Sequence, residues 1–360
     1  MFFGVLLSIF VILNVLILMQ EMFRWFVTGN CGAKGDLMCM TKTIGVVTSG
    51  GDAPGMNAAI RAVTRVAHAK GFQVIGFERG WDGLLTNCCR KLTPRSVGGI
   101  IQLGGTILHT LRCASFEEEG GVEKGAETLS INNIDALAVI GGDGSFRGAL
   151  DLSRETDALM VGIPATIDND VYGTEETIGF DTAVNTAIGA IDKIRDTAIS
   201  HERVFIVEVM GRKRGFLALE VGICVGAEVI LVPERPMSLE NIVKLMEENA
   251  KKGKRAGIIV AAEGCGNSTK LAAEMQQQTD AEVRLSILGY AQRGGSPTGR
   301  SRLLASLFAE KAVDLICQVK GNMAVGLQHG EIVGFELEKA AKERKPIDLR
   351  LLEVADMLAT

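Results

Sequence analysis

Asp168 and Asp170 stand two residues apart in Pro164-Ala165-Thr166-Ile167-Asp168-Asn169-Asp170, with the hydroxyl of Thr166 two residues before them. Upstream lies Gly141-Gly142-Asp143-Gly144-Ser145. Three glycines in that turn remove side chains where phosphates would sit against backbone amides. A carboxylate such as Asp143 suits Mg²⁺, which prefers few carboxylates plus phosphate oxygens. A carboxylate near such an ion can take the proton of an attacking hydroxyl. Phosphoryl transfer needs these parts together. Each segment alone also has a plainer reading: Asp-Asn-Asp makes an Asx turn, and several kinase superfamilies use a GGDG turn.

A third glycine-rich loop, Ser49-Gly50-Gly51-Asp52-Ala53-Pro54-Gly55-Met56-Asn57, follows an apolar run and opens a helical stretch. Its amides and helix N-terminus suit an anion, or it is an ordinary strand-to-helix turn. It lacks the Walker spacing, since no Lys-Ser/Thr pair follows the last glycine.

These loops need strands to end on. Continuous β-branched runs predict strands at Ile44–Thr48, Val74–Phe77, Ala136–Ile140, Leu159–Ile163, Val204–Val209, Val229–Val232 and Gly257–Ala262. Continuous rather than alternating apolar runs indicate parallel strands covered on both faces. Between them lie helical stretches such as Asn57–Ala69, Thr182–Ala198 and Leu239–Lys251. The alternation predicts right-handed crossovers, with ligands at the carboxyl ends of the strands. In an extended loop alternate residues share a side, so Asp168 and Asp170 are expected to face one ligand.

The chain has 360 residues, 43 of them glycine, with 47% hydrophobic and 5% aromatic residues. That length accommodates two domains, and the composition suits an α/β protein with many tight turns. A net charge of −5 without a basic stripe argues against a general nucleic-acid binder. Cys31, Cys39, Cys88, Cys89, Cys113, Cys224, Cys265 and Cys317 form no CxxC pair and read as reduced thiols. Residues 1–20 carry no charge, and Val5 to Met19 is almost wholly apolar. No positive residue precedes that run as in a signal peptide. It reads as a signal anchor or, preferably, as residues added by an upstream start, because the enzyme-like pattern begins at Met40.

Taken in order, SGGDAPGMNAAIR at 49–61, IGGDGS at 140–145, PATIDND at 164–170, EVMGR at 208–212 and QRGGSP at 292–297 resemble the phosphofructokinases. The likeness to the bacterial, ATP-dependent type runs from about Met40 to the C-terminus. A lipid or dinucleotide kinase sharing GGDG explains neither PATIDND nor QRGGSP. The resemblance implies an α/β fold of two doubly wound Rossmann-like domains with mainly parallel sheets and the active site in the cleft between them. A nucleotide domain is expected over 40–179 plus about 292–342, and a sugar-phosphate domain over about 180–291 plus 343–360, with 1–39 an extension. The implied activity is Mg²⁺-dependent transfer from ATP to the 1-hydroxyl of fructose 6-phosphate, in the cytoplasm, by a homo-oligomer, most often a tetramer with shared sites. Membrane attachment is not expected unless residues 1–20 are a true anchor.

By similarity, Asp168 is the base, Thr166 contacts the transferring phosphate, Asp170 belongs to the same catalytic loop and Asp143 holds magnesium. Gly51, Arg112, Cys113 and Gly142 to Ser145, thus including Gly144, match nucleotide positions, and Trp81 could stack on adenine. Arg212 would offset charge on the phosphoryl oxygens. Ile167, Met210, Gly211, Arg203, Arg284, Arg293, Glu263 and Tyr290 match sugar-phosphate positions, with Arg203 and Arg284 serving a neighbouring subunit. Arg61, Arg65, Arg195, Glu228 and Lys254 resemble the allosteric nucleotide site, where a solvated basic edge is the plainer alternative.

Four departures stand out. Tyr290 replaces a histidine, which keeps open a catalytically weak regulatory relative. Cys113 and Glu117 replace an aromatic and a basic residue. Ala165 stands where ATP-dependent members have glycine and pyrophosphate-dependent members lysine. Gly144 is retained where the latter carry aspartate, so ATP is the expected donor and pyrophosphate the alternative.

Overall fold

The computed structural model describes residues 42–358. The N-terminal extension, with Cys31 and Cys39, lies outside the described residues.

Two sheets organise the chain. The first holds β1 (Thr43–Thr48), β2 (Gln73–Phe77), β3 (Cys89–Leu92), β4 (Ala136–Gly141), β5 (Leu159–Thr166) and β6 (Ile178–Gly179). The second holds β7 (Val204–Val209), β8 (Val229–Leu231), β9 (Gly257–Ala262) and β10 (Val283–Ile287). The chain then returns to the first sheet with β11 (Met323–Gln328) and β12 (Glu331–Glu336). The orders are β12-β11-β5-β4-β1-β2-β3, with β6 on β5, and β10-β7-β9-β8. Among the strands of the described residues, only β2–β3 and β11–β12 pair antiparallel. The expected mainly parallel α/β architecture is present.

β1 and β4 are buried along their whole length, because helices cover both faces of the sheet. A Cβ on Gly45 would lie 2.8 Å from Leu137 Cδ1, so glycine sets how closely the side chains of β1 and β4 interleave. Strands with mixed polarity escaped the sequence reading. β3, β10 and β12 lie at sheet edges and expose much of one face, so they lack a continuous apolar run.

β2 lies on one side of β1 and β4 on the other, so the strand order reverses between β1 and β4. The loops leaving these two strands therefore diverge and leave a crevice at their carboxyl ends. Ser49 N donates to Ile140 O at 3.0 Å, keeping the two strands joined up to the turns.

The helix Met56–Ala69 departs from the expectation for its N-terminus. Gly55 before it has φ 112°, and a Cβ there would meet Ile178 Cγ2 at 2.6 Å. Residues Met56 to Ala59 are buried, so this end packs against β6 rather than opening to an anion. Ser49 to Asp52, at the start of the loop, reach the crevice instead.

The helix Phe180–His201 leads from the first sheet to the second, and the helix Gly299–Cys317 belongs to the return. Thr298 caps the latter, its Oγ1 accepting from Ser301 N at 3.2 Å and donating to the Asp181 carboxylate at the start of the former. The C-terminal helix Arg350–Leu358 packs on the helix Phe216–Cys224. Arg235 clamps it through both guanidinium nitrogens to Asp356, at 2.9 and 3.0 Å.

Candidate active site

A cleft of about 720 Å³ opens at the carboxyl ends of β1, β4 and β5. Gly51, Trp81, Arg112, Cys113 and Gly142 to Ser145 line one part. Ala165, Thr166, Ile167, Asp168, Asp170, Arg212 and Arg293 line another. Residues from seven separate sequence segments thus share one cavity.

Gly142, in extended conformation, precedes the helix Asp143–Leu152, whose first amides face the cleft. Gly141 cannot carry a side chain here: a Cβ would sit 2.6 Å from Ser49 O and 2.4 Å from Ser145 Oγ. Asp143 Oδ1 accepts from Gly144 N at 2.7 Å, and Arg147 Nη1 donates to Oδ2 at 2.8 Å. Trp81 is 6% exposed and stacks on Phe116 with ring centroids 4.6 Å apart. Gly148 lets the helix approach that indole, since a Cβ there would lie 3.1 Å from it. The tryptophan therefore forms a packed wall of the cleft, with one face already covered by Phe116.

Thr166 ends β5. Its Oγ1 accepts from Asp168 N at 3.2 Å, and its carbonyl accepts from Thr177 Oγ1 at 2.6 Å. Asn169 then adopts φ 50°, in the left-handed region. The loop is therefore not an extended strand, and simple alternation does not account for its geometry. Asp168 and Asp170 share the cleft because Asn169 bends the chain between them, its Nδ2 donating to Glu175 O at 3.2 Å.

Asp168 is only 2% exposed, and its Oδ1 has no hydrogen-bond partner among the described residues. Arg212 Nε lies 3.3 Å from its Oδ2. Burial pushes the Asp168 carboxyl up to about 6, and the charge of Asp170 adds to the rise. Arg212 and Arg293 pull it back down. Asp170 is raised first by burial and then by the charge of Asp143. Lys345, lowered to about 8 by burial, is held in place beyond Asp170 by the Glu175 carbonyl at 2.9 Å.

Arg212 reaches Asp168 through a strained turn. Gly211 has φ 135° and Arg212 φ 52°, a conformation that costs a non-glycine residue about 1–3 kcal/mol. The turn brings Arg212 N to Glu263 Oε1 at 2.5 Å. Met210 N donates to the buried Gln292 Oε1 at 2.9 Å, tying the end of β7 to the segment that carries Arg293. Arg293 occupies the space beside Gly51, 3.1 Å from a Cβ placed there, and lies 3.7 Å from Asp52. Glu263, Met210 and Gly211 are therefore joined to the cleft lining without forming it.

Other expected residues stand apart. Arg203 and Arg284 sit at β7 and β10 and share the carboxylate of Glu282, Arg203 Nε at 2.6 Å. Neither lines the cleft of its own chain. Tyr290 is 80% exposed, with the Arg293 guanidinium 5.6 Å from its ring centre. Arg195, Glu228 and Lys254 come together: Lys254 Nζ lies 2.9 Å and Arg195 Nη1 3.9 Å from the buried Glu228 Oε1. Arg61 and Arg65 lie on the helix Met56–Ala69, where Arg65 Nη2 donates to Pro94 O at 3.3 Å. No ion pair joins them to that trio among the described residues.

Sequence reasoning missed Arg147, Gln292 and Lys345. Arg147 was open to detection, being four residues after Asp143 on one helix. Gln292 opens the QRGGSP motif but its role carried no local signal, nor did that of Lys345, because their partners lie 82 and 170 residues away.

Residues 43–316 match the family model described as Phosphofructokinase. The chain is 50% identical over 320 residues to the ATP-dependent 6-phosphofructokinase 1 of Thermus thermophilus, covering 88% of this chain and 99% of that one. It is 49% identical over 310 residues to the ATP-dependent 6-phosphofructokinase of Lysinibacillus sphaericus, covering 86% and 97%. The crystal structure of Pichia pastoris phosphofructokinase in the T-state superposes with a TM-score of 0.79 at 32% identity, over 91% of this chain and 37% of that one. A pyrophosphate-dependent phosphofructokinase from Marinobacter aquaeolei shares the fold, with a TM-score of 0.76 at 22% identity. Matched along most of its length, the chain belongs to the phosphofructokinase family.

Proposed function

We propose that this chain is an ATP-dependent 6-phosphofructokinase, transferring the terminal phosphoryl group of ATP to the 1-hydroxyl of fructose 6-phosphate in glycolysis. The observation that carries the reading is Asp168. It is a buried carboxylate raised to about 6, with one oxygen unpartnered and an arginine on the other, in the same cleft as a glycine turn at a helix N-terminus. A base so placed is ionised at neutral pH yet basic enough to accept a hydroxyl proton.

In this reading Asp168 Oδ1 takes the proton, and Arg212 moves between Asp168 and the phosphoryl oxygens as charge develops on them. Thr166 and the amides after Gly142 orient the donor. Arg293, Arg212 and Glu263 orient the acceptor, with Tyr290 at the rim. Binding both substrates in one cleft provides most of the acceleration through positioning.

Magnesium fits the donor set. Asp143 and Asp170 are close enough for the charge of one to raise the other, a repulsion that a cation would relieve. Asp143 and Asp170 would hold the ion, which would supply positive charge against the phosphates. ATP is favoured over pyrophosphate by the curated relatives at about half identity, and by the open space at Gly144, where an added Cβ would meet nothing nearer than the end of Arg147 at 3.5 Å.

We read the enzyme as a cytoplasmic homo-oligomer, a tetramer with Arg203 and Arg284 serving a neighbour's sugar-phosphate site. Their position outside their own cleft supports this. Arg61, Arg65, Arg195, Glu228 and Lys254 form the effector site in this reading. No helix among the described residues is long and apolar enough to cross a membrane. The deciding experiment assays the purified chain on fructose 6-phosphate with ATP and with pyrophosphate. Turnover with ATP is expected; turnover with pyrophosphate alone would overturn the donor, and none with either would leave a regulatory relative.

A further inference from the structure

Arg147 lies within the cleft, over the glycine turn, and the activity just proposed assigns it no role. It is half exposed, with a side-chain exposure of 57%. It stands one helical turn after Asp143 and donates to Asp143 Oδ2 at 2.8 Å. Its Nη2 is 3.5 Å from the point where a Cβ on Gly144 would be. The guanidinium therefore hangs above the first amides of the helix Asp143–Leu152, where a phosphate chain entering the cleft would meet it.

Asp143 has two candidate partners for the same oxygen. A divalent cation bound to the donor's phosphates competes with Arg147 for Oδ2, because both seek the same lone pairs. When the cation takes that oxygen, the guanidinium loses its anion and is left beside phosphate oxygens. These are its best alternative acceptors, since a planar fork matches phosphate as well as carboxylate. Among the described residues no other cation of the cleft lies on this helix: Arg112 lies in the segment after β3, Arg212 follows β7 and Arg293 follows β10.

Building on the activity proposed above, we infer that Arg147 is a donor-binding residue: it pairs with Asp143 until the metal–nucleotide arrives, then exchanges that carboxylate for the polyphosphate of the donor. The exchange lets Asp143 and Arg147 switch partners without leaving either charge unpaired. It also makes the residue selective for phosphate rather than for base or sugar.

The test compares wild type, Arg147→Gln and Arg147→Lys. Calorimetry measures binding of Mg·ATP without fructose 6-phosphate, and inhibition by adenosine reports on the nucleoside part alone. Losing a charge-assisted hydrogen bond should weaken Mg·ATP binding by about 10-fold or more in Arg147→Gln. Arg147→Lys should fall between, because it keeps the charge without the fork. KM for ATP should rise in parallel while KM for fructose 6-phosphate and inhibition by adenosine stay within about twofold. Thermal melts identify a folding defect, which this exposed position is not expected to cause. Mg·ATP affinity within twofold of wild type in Arg147→Gln overturns the inference, and so does an equal loss of adenosine inhibition. If wild type itself neither binds ATP nor phosphorylates the sugar, the proposed activity fails instead, so the two failures are distinguishable.

Discussion

At the scale of single residues, Asp168 concentrates the chemistry. Replacing it by Asn keeps shape and removes the base. Turnover of Asp168→Asn should fall about 100-fold or more with KM for either substrate little changed, measured by steady-state assay. The raised carboxyl also sets a pH limit. With Asp168 at about 6, kcat/KM should climb as pH rises through 6 and level off above it. Arg212 lowers that value, so the limb should move to higher pH in Arg212→Ala, on top of its loss of rate. A limb that stays in place would argue that another group titrates. The same shift has a stability consequence. A carboxyl whose folded value lies above its unfolded value holds its proton more tightly in the native state, so its burial costs stability once pH exceeds both. Asp168→Asn should therefore be more stable than wild type at pH 7, by about 3 kcal/mol in urea unfolding, and lose that advantage below about pH 4.

At the scale of elements, the site depends on how closely two strand ends approach. β1 and β4 diverge into separate turns, and Gly141 is where they touch. A methyl group on Gly141 would press on the Ser49 carbonyl, which is backbone and cannot swing away. Gly141→Ala should cost about 1–3 kcal/mol in urea unfolding and weaken Mg·ATP binding disproportionately, because relaxation moves the donor turn. Gly144→Ala has room and should be nearly neutral for stability. The catalytic loop shows the same dependence: the left-handed Asn169, not strand alternation, turns Asp168 and Asp170 into one cavity.

At the scale of the whole molecule, Arg203 and Arg284 bear on assembly. Both are gathered on Glu282 away from their own cleft. If they complete a neighbour's site, Arg284→Ala should raise KM for fructose 6-phosphate by about 10-fold and leave KM for ATP within twofold. Mixed with Asp168→Asn after joint unfolding and refolding, it should recover turnover at low sugar phosphate, since some sites then contain both intact halves. No recovery in oligomers shown by light scattering to be mixed would mean that each site is made by one chain.

What the sequence by itself determined was most of the strands covered on both faces and the loops that leave them, though the interior strand β11 was missed. β1, β4, β5, β7 and β9 announce themselves as mainly apolar runs, because a sheet covered by helices on both faces buries nearly every side chain of its inner strands. The turns following β1, β4, β5 and β7 carried the motifs that named the family, and Gly142 to Ser145, Thr166, Asp168 and Arg212 all line the cleft. Edge strands β3, β10 and β12 were hidden, since half of each faces outward and its pattern reads as loop. Only the tertiary structure decided how charges are paired. Arg212 lies 44 residues from Asp168 in sequence, yet its guanidinium and burial together set the proton affinity of the base. The tertiary fold also decided that Trp81 stacks on Phe116 in the cleft wall, and that Gln292 ties the end of β7 to the segment carrying Arg293. Such pairings depend on distance and solvent exclusion, which exist only once the sheets are packed.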